Sequence, residues 1–375
     1  MSMREPARRR KKSRMRILLG EWFAKMMVTE LEGVVLPVPC ANPHLAIGPP
    51  DMGHPLSSLL PSVMWLDFRI EAGGKAMAKL GFLGLGIMGG PMALRLIEAK
   101  HEVAVWSYSA GKTDAFVAKG AVACATPAEV AKRSECVFLC VGDTEMSRTV
   151  ILGKDGLVEG AAAGSIIVDC STIAPSASKA IAAELKVKEI EFLDAPCTGS
   201  KAGAEGGTLT FMVGGPKETF EKVKPWFEAM GKLLYYCGEA GMGLHAKLSQ
   251  NMILGNLLQA FNESMVLSTK AGVDPEMMLD ILNNSAARSG MISAKAPKVL
   301  ARDFTTHFSV KWLEKDMGLM LDSAAELNVP VPVTALSRQM YRAAIAKGFG
   351  EDDMCGSIRL MEDITDTVVS GRNKG

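Results

Sequence analysis

Short apolar runs alternate with longer amphipathic stretches from Lys79 to about residue 240, and the spacing changes after that. "LGFLGL" (80–85), "HEVAVWSY" (101–108), "CVFLCV" (136–141), "SIIVDC" (165–170) and "IEFLDAP" (190–196) each have strand length and strand composition. Stretches with helical spacing lie between them. In "PMALRLIEA" (91–99), Met92, Leu94, Leu96 and Ile97 share one broad apolar side. Strand and helix in alternation predict an α/β fold, a Rossmann-like, doubly wound and mostly parallel sheet over residues 77–240. "TLTFMVGG" (208–215) and "KLLYYCG" (232–238) add strands at its end.

The period then lengthens. Leu244 to Ala271 contain no proline and fit one helix, with Leu248, Met252, Phe261 and Met265 on its buried side. "DPEMMLDILNNS" (274–285) starts with Asp274 as a cap and Pro275 at the first helical position. "VKWLEKDMGLMLDSAAELN" (310–328) and "PVTALSRQMYRAAIAKG" (332–348) continue the helical spacing. An all-helical C-terminal domain is therefore expected over residues 241–370, with the substrate site in the cleft between the two domains.

Residues 1–76 break this pattern. "MREPARRRKKSRMR" sets eight basic residues against one acid, and Pro37, Pro39, Pro43, Pro49, Pro50, Pro55 and Pro61 interrupt any periodicity. The segment reads as a disordered or spurious extension, with three explanations open: a transit peptide, a basic arm that touches nucleic acid or a charged partner, or residues upstream of a true start at Met77. The last is favoured, because "MAKLGFLGLGIMG" places a methionine just ahead of the first strand.

Composition narrows the function classes. A net charge of +1 gives no overall electrostatic case for nucleic acid or an anionic membrane. No run of about 18 uninterrupted apolar residues argues for a membrane span. The eight cysteines include no CxxC pair and no zinc-ligand spacing, so no metal is expected. Scattered cysteines suit a reducing compartment, taken as the cytoplasm, with organellar import through residues 1–76 as the alternative.

The candidate chemistry begins at Gly84-Leu85-Gly86-Ile87-Met88-Gly89, a G-x-G-x-x-G between the first strand and the first helix. Gly84 permits the tight turn, Gly86 lets a pyrophosphate approach the backbone, and Gly89 lets helix and strand pack closely. A NAD site usually places an acid about 20 residues further on, to hold the ribose 2′-OH. Ser107, Tyr108 and Ser109 occupy that position, with Lys112 nearby and no acid among them. That favours NADP, with NAD as the alternative.

The order of motifs resembles the β-hydroxyacid dehydrogenase family over about residues 77–365, and within it the 3-hydroxyisobutyrate dehydrogenases and the glyoxylate/succinic semialdehyde reductases. "GFLGLGIMGGPMA" (81–93), "DCST" (169–172), "DAPCTGSKAGAEGGTL" (194–209), "GMGLHAKLSQN" (241–251) and "FSVKWLEKD" (308–316) carry the resemblance. It implies Lys247 as the catalytic acid, with Asn251 four residues on, and so on the same helix face. A positioned ammonium stabilises the oxyanion that forms when hydride attacks an aldehyde and can donate the proton, while Asn251 orients lysine or carbonyl.

The resemblance further implies Thr198, Gly199 and Ser200 as the substrate-carboxylate loop, with Phe308 and Asp316 completing the cleft. Cys140, Val141, Thr172 and Lys315 join the cofactor contacts. Thr172 is also a candidate N-cap for the helix after it. The chain departs from the family at Thr198, where serine is usual, and at Cys197, usually valine. His245, two residues before Lys247, points elsewhere on a helix and is given no relay role.

The implied activity is NADP-preferring reduction of a small carboxylated aldehyde, such as succinic semialdehyde, glyoxylate or tartronate semialdehyde, by a homodimer or homotetramer. Two alternatives remain, a NAD-dependent 3-hydroxyisobutyrate dehydrogenase and a non-catalytic dinucleotide-binding scaffold with a basic arm. An imine reductase is disfavoured because those enzymes usually replace the lysine.

Overall fold

In the computed structural model, residues 77–371 are described, and the basic, proline-rich segment at 1–76 lies outside them. Nine strands form one sheet: β1 (Lys79–Leu83), β2 (Glu102–Trp106), β3 (Val122–Ala123), β4 (Cys136–Leu139), β5 (Ile166–Asp169), β6 (Glu191–Asp194), β7 (Cys197–Thr198), β8 (Leu209–Gly214) and β9 (Gly231–Gly238). Their order is β3-β2-β1-β4-β5-β6-β8-β7, with β9 beside β8. Pairing is parallel from β3 through β6, turns antiparallel at β8 and β7, and is parallel again between β8 and β9.

Helices flank this sheet: α1 (Gly89–Glu98), α2 (Asp114–Val117), α3 (Pro127–Lys132), α4 (Thr144–Leu152), α5 (Leu157–Gly160), α6 (Pro175–Lys186), α7 (Ser200–Glu205) and α8 (Lys217–Met230). The helical part follows, with α9 (Met242–Lys270), α10 (Pro275–Asn283), α11 (Gly290–Leu300), α12 (Val310–Glu326), α13 (Pro332–Ala344) and α14 (Ile358–Thr365). All of these belong to one compact unit.

The sheet is covered on both faces, which is why β4 ("CVFL") and β5 ("IIVD") are buried at every position. Alternation divides their side chains between two cores. Phe82, Phe138, Phe211 and Phe227 pack on one face; Leu83, Leu139, Ile167 and Leu185 pack on the other. Each such side chain contributes about 1.5–3 kcal/mol on burial. A third core of Leu258, Phe261, Met265, Leu313, Met317 and Tyr341 holds the helical part together.

The first strand pair and β4 place three loops side by side at their carboxyl ends. The sheet order reverses between β1 and β4, so a crevice opens there. α9 packs on β8 and on α12, which brings the helical part against that crevice.

Several details differ from the sequence pattern. β2 ends at Trp106, so Ser107 and Tyr108 lie in a loop. Met252 is only half-buried on α9, unlike Leu248, Phe261 and Met265. The helix over 332–348 ends at Ala344, because Gly348 takes a left-handed φ of +92° and the last turn widens.

Candidate functional site

The glycine turn after β1 is shaped for a dinucleotide. Gly84 has φ +86°, and a Cβ there would overlap the carbonyl oxygen of Cys140. A Cβ on Gly89 would overlap Gly84 O and press Phe82 at 3.0 Å. Gly86 is different, since a Cβ there would meet nothing within 4 Å. Structure therefore requires glycine at 84 and 89, whereas at 86 only an incoming group would. Met88 precedes α1 without a side-chain cap; Gly90 N is already bonded to Gly86 O and Pro91 has no N–H, which leaves the Gly89 amide of that first turn for an anion. Leu85 is buried, Met88 half-buried and Ile87 exposed beside the open position.

These residues fit the pyrophosphate of a nicotinamide dinucleotide. After β2, Ser107 is half-buried, and Tyr108, Ser109 and Lys112 are exposed. Tyr108 packs edge-on against Trp106, with ring centroids 6.5 Å apart.

The loops after β4 and β5 are bound to each other. Val141 N donates to Ser171 Oγ at 2.8 Å, and Ser171 N donates to Asp169 Oδ1 at 2.8 Å. Ser147 Oγ donates to the other oxygen of Asp169. Burial pushes the Asp169 carboxyl up, and these hydrogen bonds oppose that shift. Cys140 is half-buried at the rim of the crevice, with its thiol pushed up by burial.

The helical part closes on these loops through α12. Lys315 Nζ donates to Thr172 O at 2.6 Å and to Gly142 O at 3.1 Å, and lies 3.1 Å from Asp316 Oδ1. Trp312, one turn earlier, rests on Gly142, where a Cβ would come within 2.9 Å of the indole. Thr172 is not an N-cap: α6 starts after Ala174 with no side-chain cap, because the chain runs extended for two residues beyond Thr172. Lys315 and Asp316 are not a solvated pair, since their side chains are 22% and 3% exposed.

Lys247 and Asn251 lie on the first turns of α9, 8% and 2% exposed. Lys247 Nζ donates to Gln250 Oε1 at 3.3 Å, and Asn251 Nδ2 donates to Asp316 Oδ2 at 2.7 Å. Burial holds the Lys247 ammonium below its usual range; Asp316 and Cys197 oppose this, and Lys315 adds to it. The Cys197 thiol is pushed up to about 11 by burial, with Lys247 pulling the other way.

Thr198 is half-buried at the end of β7. Gly199 (φ +133°) and Ser200 (φ +58°) then turn the chain sharply into α7, both of them exposed. Phe308 is half-buried, and its amide and that of His307 donate to the Asp353 carboxylate, which also accepts from Lys295. His245 faces away toward Ser323, Nδ1 to Oγ 3.3 Å, on the opposite side of α9. Among the described residues, no group of three His, Cys, Asp or Glu side chains can hold a metal ion.

Lys247, Asp316, Lys315, Cys197 and Cys140 thus share one electrostatic neighbourhood. Sequence reasoning did not single out Gln250, Trp312, Gly142, Ser171 or Asp169 as site residues. Trp312 and Gln250 left a usable signal, a spacing of three from Lys315 and from Lys247 on their respective helices.

Residues 79–238 match the family described as the NAD binding domain of 6-phosphogluconate dehydrogenase. Residues 241–361 match the family described as NAD-binding of NADP-dependent 3-hydroxyisobutyrate dehydrogenase. Over 294 residues the chain is 37% identical to 2-(hydroxymethyl)glutarate dehydrogenase of Eubacterium barkeri, covering 78% of this chain and 98% of that one. It is 36% identical to glyoxylate/succinic semialdehyde reductase 2, chloroplastic, of Arabidopsis thaliana, covering 76% and 79%. The crystal structure of 3-hydroxyisobutyrate dehydrogenase (ygbJ) from Salmonella typhimurium superposes with a TM-score of 0.69 at 28% identity, covering 75% of this chain and 99% of that one.

Proposed function

The chain belongs to the β-hydroxyacid dehydrogenase family and is an NAD(P)-dependent oxidoreductase of hydroxyl or aldehyde groups, and on that premise we propose that it reduces a small carboxylated aldehyde to the hydroxy acid, preferring NADPH. Succinic semialdehyde, glyoxylate and tartronate semialdehyde are substrates of this kind. The observation that carries the reading is the buried Lys247, held below its usual pKa beside the Asn251–Asp316 pair.

The bound nicotinamide supplies the hydride. Gly84, Gly86, Gly89 and the start of α1 would hold its pyrophosphate, with Cys140, Val141, Thr172 and Lys315 lining the crevice beyond. Thr198, Gly199 and Ser200 receive the substrate carboxylate, with Phe308 closing the apolar side. Lys247 then donates its Nζ proton to the carbonyl oxygen as negative charge builds there. A lowered pKa makes the ammonium a stronger acid, and the nearby Asp316 carboxylate keeps it protonated often enough to act. Asn251, fixed through Asp316, presents its Oδ1 to the Lys247 ammonium and so orients the acid.

The preference for NADPH is supported by the loop at Ser107, Tyr108 and Ser109, where no carboxylate would repel a 2′-phosphate. The reverse reaction, a NAD-dependent 3-hydroxyisobutyrate oxidation, is the second reading. It is favoured by the same lowered pKa, because a neutral Lys247 is a base. Exposed Ile253 and Leu267 on α9 and Leu336 on α13 support assembly as a dimer or tetramer. We place the enzyme in the cytoplasm on its scattered free cysteines.

Initial rates of NADPH and NADH oxidation with the three aldehydes test the proposal. Turnover that prefers NADPH supports it, and turnover only in the direction of 3-hydroxyisobutyrate oxidation with NAD would favour the second reading.

A further inference from the structure

The carboxylate of Asp194 takes no part in the steps above, yet it is fully buried at the end of β6 and directed at the start of α9. Oδ1 accepts from Gly241 N at 2.6 Å, and Oδ2 accepts from Leu244 N at 2.9 Å. Amides in the first turn of a helix have no partner within the helix. The residue ahead of α9 is Gly241, which carries no side chain and has φ +87°, so the N-cap position offers no side-chain cap. The sheet supplies one instead.

The slot around this carboxylate is built from glycines. A Cβ on Gly243 would come within 2.8 Å of Asp194 Oδ2 and would overlap Met212 O. A Cβ on Gly214 would come within 2.7 Å of Oδ1. The backbone of α9 thus approaches β6 and β8 too closely for any side chain at these two positions. This gives a physical reason for the glycines in "GMGLHAK" and for the aspartate that opens "DAPCTGS", which sequence reasoning left as unassigned parts of its motifs.

Lys247 lies three residues beyond Leu244, within one turn of the anchored amide. Sliding or rotating the first turn of α9 would carry Nζ with it. Resting on the reading of Lys247 as the acid, we propose that Asp194 is its positioning residue: a cap supplied by the sheet that fixes where the first turn of α9, and with it the ammonium, meets the substrate.

The anchor needs the ionised carboxylate, because only that form accepts from both amides while donating to neither. Burial pushes the Asp194 carboxyl up to about 6, opposed by the hydrogen bonds from Gly241 and Leu244. The ionisable groups around it are Asp169 in register on β5, Cys237 on β9 and Lys179 of α6, whose stem passes Gly241; the backbone of Glu239 abuts Gly214. Asp169 adds to the upward shift. Protonation on the acid side of about 6 therefore releases one of the two amides.

The test is Asp194→Asn in the full chain, read by amide hydrogen exchange, dinucleotide binding and a pH profile of kcat. An asparagine keeps the shape and one acceptor. Exchange in the peptide spanning Gly241 to Lys247 should quicken about tenfold, as expected for loss of a cap, while a peptide over α1 is unchanged. The Kd for NADPH should stay within about twofold, because the cradle is built from other elements, while kcat falls about tenfold or more. The fall in wild-type kcat on the acid side of about 6 should be missing from the variant.

Unchanged exchange at the start of α9, or an unchanged kcat profile, would overturn the proposal. If the variant does not fold, the wild-type protein serves. Protection of the Gly241 and Leu244 amides, corrected for intrinsic exchange, should fall as the pH is lowered through about 6, and constant protection would contradict the anchor. If the wild-type protein turns over none of the aldehydes, the reductase reading fails, while the exchange comparison still decides the anchor.

Discussion

The side-chain amide of Asn251 donates to Asp316 Oδ2 at 2.7 Å, so its donor end is committed to the carboxylate and not to Lys247. Only the NH2 end of an asparagine can face a carboxylate, which leaves Oδ1 of Asn251 as the atom for the ammonium or the substrate hydroxyl. α9 and α12, distant in sequence, thus share one buried polar network. Asp316 acts on Lys247 through its own charge, which raises the lysine's pKa against the effect of burial.

Asp316→Asn should therefore change the pH dependence as well as the rate. Burial holds Lys247 low and Asp316 raises it, so removing the charge lowers the lysine further. With Lys247 as the proposed acid, aldehyde reduction needs the protonated lysine, and its rate should fall as pH rises through that pKa. In the variant this fall should begin at lower pH. A profile with the wild-type midpoint would show that the carboxylate does not set the lysine.

Lys247→Met should trade activity for stability. The folded pKa of Lys247 lies below the unfolded one, so between the two values the unfolded chain binds more protons. The lysine therefore costs stability at neutral pH, and that cost fades as pH rises from the folded toward the unfolded pKa. A methionine of similar length removes it. Thermal unfolding at neutral pH should show a higher Tm than wild type, with the difference shrinking in alkaline buffer.

The glycine turn gives two contrasting outcomes. Gly86→Ala adds a Cβ into open space, so Tm should be unchanged while the Kd for NADPH rises about tenfold or more, since a methyl now occupies the approach of the pyrophosphate. Gly89→Ala drives a Cβ into Gly84 O and should destabilise by about 1–3 kcal/mol. Calorimetry with a parallel NADPH titration separates them. A Gly86→Ala protein that binds normally would remove the phosphate from this turn.

Ser107→Asp should shift cofactor preference. A carboxylate after β2 accepts from a ribose 2′-OH and repels a 2′-phosphate. The ratio of kcat/KM for NADPH over NADH should drop by about tenfold or more, which is about 1.4 kcal/mol of differential binding. An unchanged ratio would place the adenosine end elsewhere than the Ser107–Lys112 loop.

Much of the fold was legible because β4, β5 and β6 are short apolar runs in regular alternation with amphipathic helices. The long helix was legible because 29 residues pass without proline. The antiparallel turn at β8 was not, since pairing direction leaves no mark on a strand of this composition. The site was legible in part: glycine at Gly84 and Gly89, where the backbone leaves no room for a Cβ, and Lys247 through the resemblance of its motif. It was not legible where the partner comes from a distant segment. Lys315 reaches the carbonyls of Gly142 and Thr172, and backbone acceptors carry no side-chain signature. Thr172 looked like a cap because threonine favours that position, but the helix starts later, at Pro175.

The most direct measurement is NADPH oxidation by succinic semialdehyde at saturating cofactor, for the wild-type chain and for Lys247→Ala, with and without added methylamine. The value of kcat should fall by about 10²–10⁴-fold in the variant, with an unchanged Kd for NADPH and partial recovery when the small amine supplies the missing proton donor. A variant that turns over at the wild-type rate would contradict it, because the acid would then be some group other than Lys247.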